Sequence, residues 1–184
     1  MRERFFYCRP PQQHRGYGRR ILYLDYDGVL HPEAVWRTRG KGIHLAPGLE
    51  DHHLFENANA LADLMEAYPD VLIVLSTSWV RVLGFNAAAS YLPSSLKDRV
   101  IGATFHTGMQ RDWFTSLPRV HQVLGDVGRR QPSAWVAIDD DAADWPTHTA
   151  ANFVASDPTY GLSAPQVYLE LQQKLEAQFG MQAT

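Results

Sequence analysis

Three apolar runs punctuate the chain, and each ends in a polar cluster. Ile21-Leu22-Tyr23-Leu24 leads into Asp25-Tyr26-Asp27-Gly28. Val71-Leu72-Ile73-Val74-Leu75 leads into Ser76-Thr77-Ser78-Trp79, and Ala134-Trp135-Val136-Ala137-Ile138 into Asp139-Asp140-Asp141. Short unbroken apolar runs read as strands buried on both faces. Asn152-Phe153-Val154-Ala155 predicts a fourth strand, while Val100 to Phe105 is ambiguous, a short strand being one reading. Between these runs the period changes. Leu54, Ala58, Leu61, Leu64, Met65 and Tyr68 recur at helical spacing and predict a helix from about Asp51 to Tyr68. Residues 80–99 read as helical with breaks at Gly84 and Pro93 and with Asn86 as a candidate N-cap. Thr115-Ser116-Leu117-Pro118 signals another helix, with proline in its first turn and Val120, Val123, Leu124 and Val127 as its stripe. Ser163 is positioned to cap a last helix carrying Val167, Leu169, Leu171 and Leu175. Val35–Thr38 and Ile43–Leu45 flank Arg39-Gly40-Lys41-Gly42, the pattern of a hairpin over about residues 35–45.

Strands alternating with helices imply an α/β fold, a mostly parallel sheet with helices on both faces. In such a sheet the three polar clusters lie along one edge, the carboxyl ends of the strands, where ligands gather. Asp25 and Asp27 share a face if the extended geometry persists. Two carboxylates so placed repel unless a cation or a proton lies between them, and a hard divalent ion such as Mg²⁺ takes oxygen ligands. An acid pair, a hydroxyl and further acids at one edge suit a metal-assisted phosphate site. In such a site one aspartate can attack phosphorus while a second handles the proton.

Composition narrows this only a little. A length of 184 residues suits one domain, read here as an irregular basic lead-in over residues 1–20 and a single domain over 21–184. The net charge of −3 argues against a general nucleic-acid-binding surface, leaving nucleic acid as a substrate only. Cys8 is the sole cysteine, so no intrachain disulfide forms. No run is long enough to span a membrane, and Phe5-Phe6-Tyr7 is too short for a signal-peptide core. A cytoplasmic enzyme is the reading these features favour. The histidines show no HxH or HExxH spacing, and the tryptophans read as core or rim.

Asp25-Tyr26-Asp27-Gly28-Val29 resembles the DxDG(V/T) signature of haloacid dehalogenase-like (HAD) phosphatases. The order of the later clusters, over roughly residues 20–160, is similar to that superfamily too. Ser76-Thr77-Ser78-Trp79, Ala137-Ile138-Asp139-Asp140-Asp141 and Asp157-Pro158-Thr159-Tyr160-Gly161-Leu162 look like those of a small bacterial subgroup. The resemblance implies a Rossmann-like three-layer sandwich and an Mg²⁺-dependent phosphomonoester hydrolase working through an aspartyl-phosphate. Asp25 would be the nucleophile and a metal ligand. Asp27 would be general acid and then base, with its backbone carbonyl on the metal. Thr77 would bind the phosphoryl group, with Ser76 as its rival. Arg119 would be the third-motif cation where most members use Lys, with Arg111 and Arg129 as weaker candidates. Asp139 and Asp140 would complete the metal site, and Asp144 would be a supporting acid.

The stretches between these motifs leave room for the hairpin as a flap but not for a large cap. An open site suits a large substrate, a nucleic-acid end or phosphoprotein, or calls for oligomerisation to cover it; a nucleotide is the smaller option. Arg37, Arg39 and Lys41 on the hairpin either meet an anionic substrate or form a solvated turn. Two other functions stay open: a phosphate-binding regulatory module without efficient turnover, and a phosphotransferase.

Overall fold

The computed structural model describes residues 13–180. Residues 1–12, including Cys8, lie outside the described residues. Of the expected lead-in, residues 13–19 form turns, and Arg20 already belongs to the first strand, β1 (Arg20–Leu24). β4 (Leu72–Leu75), β5 (Val100–Ala103), β6 (Ala134–Asp139) and β7 (Phe153–Ala155) join it in one parallel sheet of order β5-β4-β1-β6-β7. Val100–Phe105 thus resolves as an edge strand.

The register does the work of assembling the edge. Leu24 sits opposite both Leu75 and Ile138. The Asp25 N–H donates to the Ile138 carbonyl, and the Ser76 N–H to that of Leu24. The polar residues that follow the three strands therefore begin at one level. Apolar residues alternate between the sheet's two sides, as the strand period demands. Leu22, Leu24, Ile73, Leu75, Val136 and Ile138 join one core with α1 (Ala58–Met65), α2 (Trp79–Leu83), α3 (Phe85–Ala89), α4 (Ser94–Lys97) and α7 (Pro165–Phe179). Ile21, Tyr23, Val74 and Ala137 meet Val123 of α6 (Arg119–Arg130) on the other side. Each fully buried aliphatic side chain is worth about 1.5–3 kcal/mol. The chain is an α/β sandwich of the expected kind. β2 (Val35–Thr38) and β3 (Gly42–Leu45) form a separate antiparallel hairpin.

Several elements depart from the sequence-based expectation. The helix expected from Asp51 begins only at Ala58, because Phe55 has φ +62° and the chain before it is tied elsewhere. Glu56 accepts the His53 N–H, and the Asn57 N–H donates to the Leu30 carbonyl. Asn86 lies inside α3, and Gly84 occupies the cap position. A short helix, α5 (Arg111–Ser116), precedes α6, and Pro118 is the N-cap of α6 rather than a first-turn residue. Ser163 does not cap α7; its hydroxyl donates to the Tyr160 carbonyl, and Ala164 precedes Pro165. Leu169 is exposed, outside the buried stripe of α7. Among the described residues no helix is long and apolar enough to cross a membrane.

Beneath the sheet, the fully buried Asp126 of α6 accepts from Tyr23 Oη at 3.0 Å, from Arg130 Nε at 2.6 Å and from Arg129. Removing one partner of a buried pair leaves an uncompensated charge. Asp126→Ala is therefore expected to lower unfolding free energy in urea by about 3–5 kcal/mol. A change below about 1 kcal/mol would show that these arginines do not depend on it.

Candidate active site

The chain turns sharply after Asp25. Gly28 has φ +68°, and a Cβ there would lie 2.3 Å from Asp140 Oδ2, so the glycine is needed for conformation and for clearance. The turn is held from behind. Ser156 Oγ donates to the Gly28 carbonyl at 2.7 Å, and Asn57 Nδ2 donates to the carbonyls of Val29 and Tyr160. The Leu162 N–H donates to Val29, and the Glu33 N–H to Pro158. The segment 156–162 is thus a buttress for the loop carrying both motif aspartates.

On this base Asp25, Asp139 and Asp140 converge. One carboxylate oxygen of each lies within 4.8 Å of the others. Asp25 and Asp139 are each 1% exposed, which strips their charge of water. Arg119, at the start of α6, reaches into the group: Nη2 is 2.8 Å from Asp25 Oδ2, and Nε is 2.9 Å from Asp139 Oδ2. Arg119 is therefore no solvated helix residue. Burial works against its charge, but Asp25 and Asp139 more than offset that and raise its pKa. Of the weaker candidates, Arg129 is committed to Asp126, and Arg111 opens α5.

One guanidinium does not balance three carboxylates. Burial raises the pKa of Asp25 despite the opposing pull of Arg119, with Asp27 adding to the rise. Burial and then Asp25 hold Asp139 well above the carboxylate range. Burial, then Asp25 and Glu33, push Asp140 up to about 7. Asp139 Oδ2 is buried; Arg119 Nε approaches it at 2.9 Å as an ion pair, without the alignment of a hydrogen bond. Three converging carboxylates matched by a single guanidinium suit a hard cation. Asp25, Asp139 and Asp140 are the residues placed to hold one.

Asp27 stands apart from that group. Its Oδ1 accepts Trp79 Nε1–H at 2.8 Å, and its Oδ2 accepts the Ser78 hydroxyl at 3.3 Å. His31 Nε2 lies 3.2 Å from Oδ1. Because His31 Nδ1 accepts the Phe55 N–H, its proton resides on Nε2 and is donated to Asp27. Sequence reasoning missed His31, Ser78 and Trp79 as partners of Asp27. Only the place of Ser78 and Trp79 in the second cluster hinted at two of them. Thr77 is buried, accepts the Trp79 N–H at 3.3 Å, and its hydroxyl bonds to Asp25, lowering that residue's pKa. Ser76 Oγ is buried with no partner. Asp144 is exposed and outside the acidic group, at φ +62°. Glu33, Asp141 and Pro158, unremarked as site residues from sequence, line a cavity of about 540 Å³ with Asp25, Asp27, Arg119 and Asp140.

A family model for the HAD domain in Swiss Army Knife RNA repair proteins matches residues 21–167. No curated protein and no solved structure matches the chain. The chain belongs to that HAD family, whose membership indicates a phosphatase-type hydrolase.

A carboxyl group whose pKa rises on folding makes the metal-free protein bind extra protons, so its stability falls as pH rises from about 4 to 7. A divalent cation competes with those protons and binds more tightly as they leave, by up to about tenfold per pH unit for each proton displaced. The metal-stripped protein is thus expected to melt lower at pH 8 than at pH 5, and added divalent cation to raise Tm more at pH 8. Differential scanning fluorimetry checks both; a larger metal effect at pH 5 would contradict the charge assignment.

Proposed function

We propose that the protein is a Mg²⁺-dependent phosphomonoesterase that removes phosphate from RNA ends through an aspartyl-phosphate on Asp25. The observation that carries this reading is the convergence of Asp25, Asp139, Asp140 and Arg119 at the carboxyl edge of a parallel sheet. RNA ends are favoured over other phosphomonoesters by the matching family, described from RNA repair proteins. A second feature agrees: Arg81 lies close enough to Arg119 and Arg111 for their charges to lower its pKa, after burial, as expected of a cationic rim.

When bound among Asp25, Asp139 and Asp140, Mg²⁺ neutralises their charge and polarises a phosphoryl oxygen. Arg119 supplies a fixed cation for the phosphoryl oxygens, and its guanidinium geometry suits two-point contact. The hydroxyl of Thr77, with Ser76 as its rival, donates to the same group. Asp25 attacks phosphorus, the ester P–O bond breaks, and Asp27 gives its proton to the leaving oxygen. Asp27 then takes a proton from the water that attacks the aspartyl-phosphate, freeing Asp25 and releasing phosphate. Tyr26 N–H, 2.7 Å from Asp25 Oδ1, and Trp79 and His31 on Asp27 keep the two carboxylates in these separate orientations. Asp144 takes a supporting acid role only if the segment 141–144 moves inward, since its side chain faces solvent here. A cytoplasmic location is part of this proposal.

Phosphate release from a phosphorylated RNA oligonucleotide is expected to require Mg²⁺, to vanish in Asp25→Asn and to fall about 10²–10⁴-fold in Asp27→Asn. Turnover that survives Asp25→Asn would sink the mechanism. Tight binding of the oligonucleotide without turnover by the wild type would instead make the chain a binding module. Phosphate appearing on an added alcohol rather than in solution would make it a phosphotransferase.

A further inference from the structure

Asp27 belongs to two cavities at once. One is the acidic chamber of about 540 Å³ shared with Asp25, Arg119 and Asp140. The other is a small cleft of about 110 Å³ between the hairpin and α2, walled by Val35, Ile43, Trp79, Val82 and Leu83. Asp27 is the one residue lining both. The two spaces differ in chemistry. The chamber is carboxylate-lined; the cleft is apolar, with Arg37 as the cation at its edge. Trp36 and Val82 also border it, 51% and 45% exposed, so its mouth offers large apolar surface to solvent.

We propose that this cleft is the leaving-group subsite and that it admits the base of the terminal nucleoside whose phosphate reacts. The inference rests on the phosphomonoesterase reading above. A general acid must face the leaving oxygen within hydrogen-bond reach. The phosphoryl group belongs with Arg119 and the acidic group, so the leaving group lies on the other side of Asp27, where the cleft begins. Its volume is well below the roughly 300–1,000 Å³ of a pocket for a whole drug-sized ligand. It accepts one planar ring and not a polypeptide segment. Aromatic and aliphatic walls take any base by its face, and Arg37 on the hairpin meets the anionic strand leading from it. The hairpin thereby sets which ends are accepted, because Val35 and Ile43 form one wall and Arg37 the rim.

Val82 is exposed and lies outside the buried core, on the cleft wall formed by α2, so Val82→Trp fills the cleft without disturbing the core. Steady-state kinetics are compared on adenosine monophosphate and on glycerol phosphate, which has no ring. The ratio of kcat/KM for the nucleotide to that for glycerol phosphate is expected to fall roughly 5- to 100-fold, the range for losing one stacked base. The loss is expected in KM with kcat little changed. An unchanged ratio would overturn the subsite, and so would a wild-type preference for phosphotyrosine over the nucleotide. Should the wild type hydrolyse neither substrate nor the phosphorylated RNA oligonucleotide, the phosphomonoesterase reading fails by itself. Calorimetric binding of adenosine monophosphate then decides the cleft. Affinity weakened 5- to 100-fold by Val82→Trp upholds it, and equal affinity overturns it.

Discussion

Three carboxylates brought together, two of them out of water, with one arginine to hold them, set the terms for the rest of this molecule. At short range and low dielectric, like charges are costly, and the fold must bring its own compensation or recruit it. Arg119 provides part of it by lying against both Asp25 and Asp139. The remainder appears as raised carboxyl pKa values. The same imbalance makes the three carboxylates suited to a divalent cation.

Holding such a group together requires rigidity around it. The three strand ends are aligned by backbone hydrogen bonds at one level, and the loop after Asp25 is braced from behind by Ser156, Asn57 and the 157–162 turn. Gly28 lets Asp140 close over the loop. Asp27, two residues from Asp25, is pulled out of the acidic group by Trp79, His31 and Ser78. Two neighbouring aspartates thereby occupy different environments, which is what a nucleophile and a proton carrier need.

Much of this was legible in the chain. The apolar runs ending in Asp25, Ser76 and Asp139 predict both the parallel sheet and the edge where the polar groups meet, because strand burial and register are local properties. Gly84 and Pro93 broke the helical stretch where expected, since both act through their own backbone. Arg119 could be proposed from its place after Pro118, but only the fold showed that its guanidinium spans two carboxylates 94 residues and 20 residues away. What stayed hidden depends on contacts far apart in sequence. The first crossover helix lost its opening turns because Asn57 is tied to Leu30 and Phe55 to His31. The role of the buried His31 rests on contacts with Asp27 and the Phe55 N–H that form only in the folded loop. The resemblance offered Asp144 as a supporting acid, and the turn at 141–144 leaves it exposed and outside the acidic group.

The central claim is that Asp25, Asp139 and Asp140 share one divalent cation. Manganese is a scatterer that can be located directly, and it takes the same oxygen ligands as magnesium. Crystals grown with Mn²⁺ and measured near its absorption edge are expected to show one strong anomalous peak between these three carboxylates. The Arg119 guanidinium should remain beside it, facing the phosphoryl position. A peak elsewhere, or none at saturating Mn²⁺, would contradict the account.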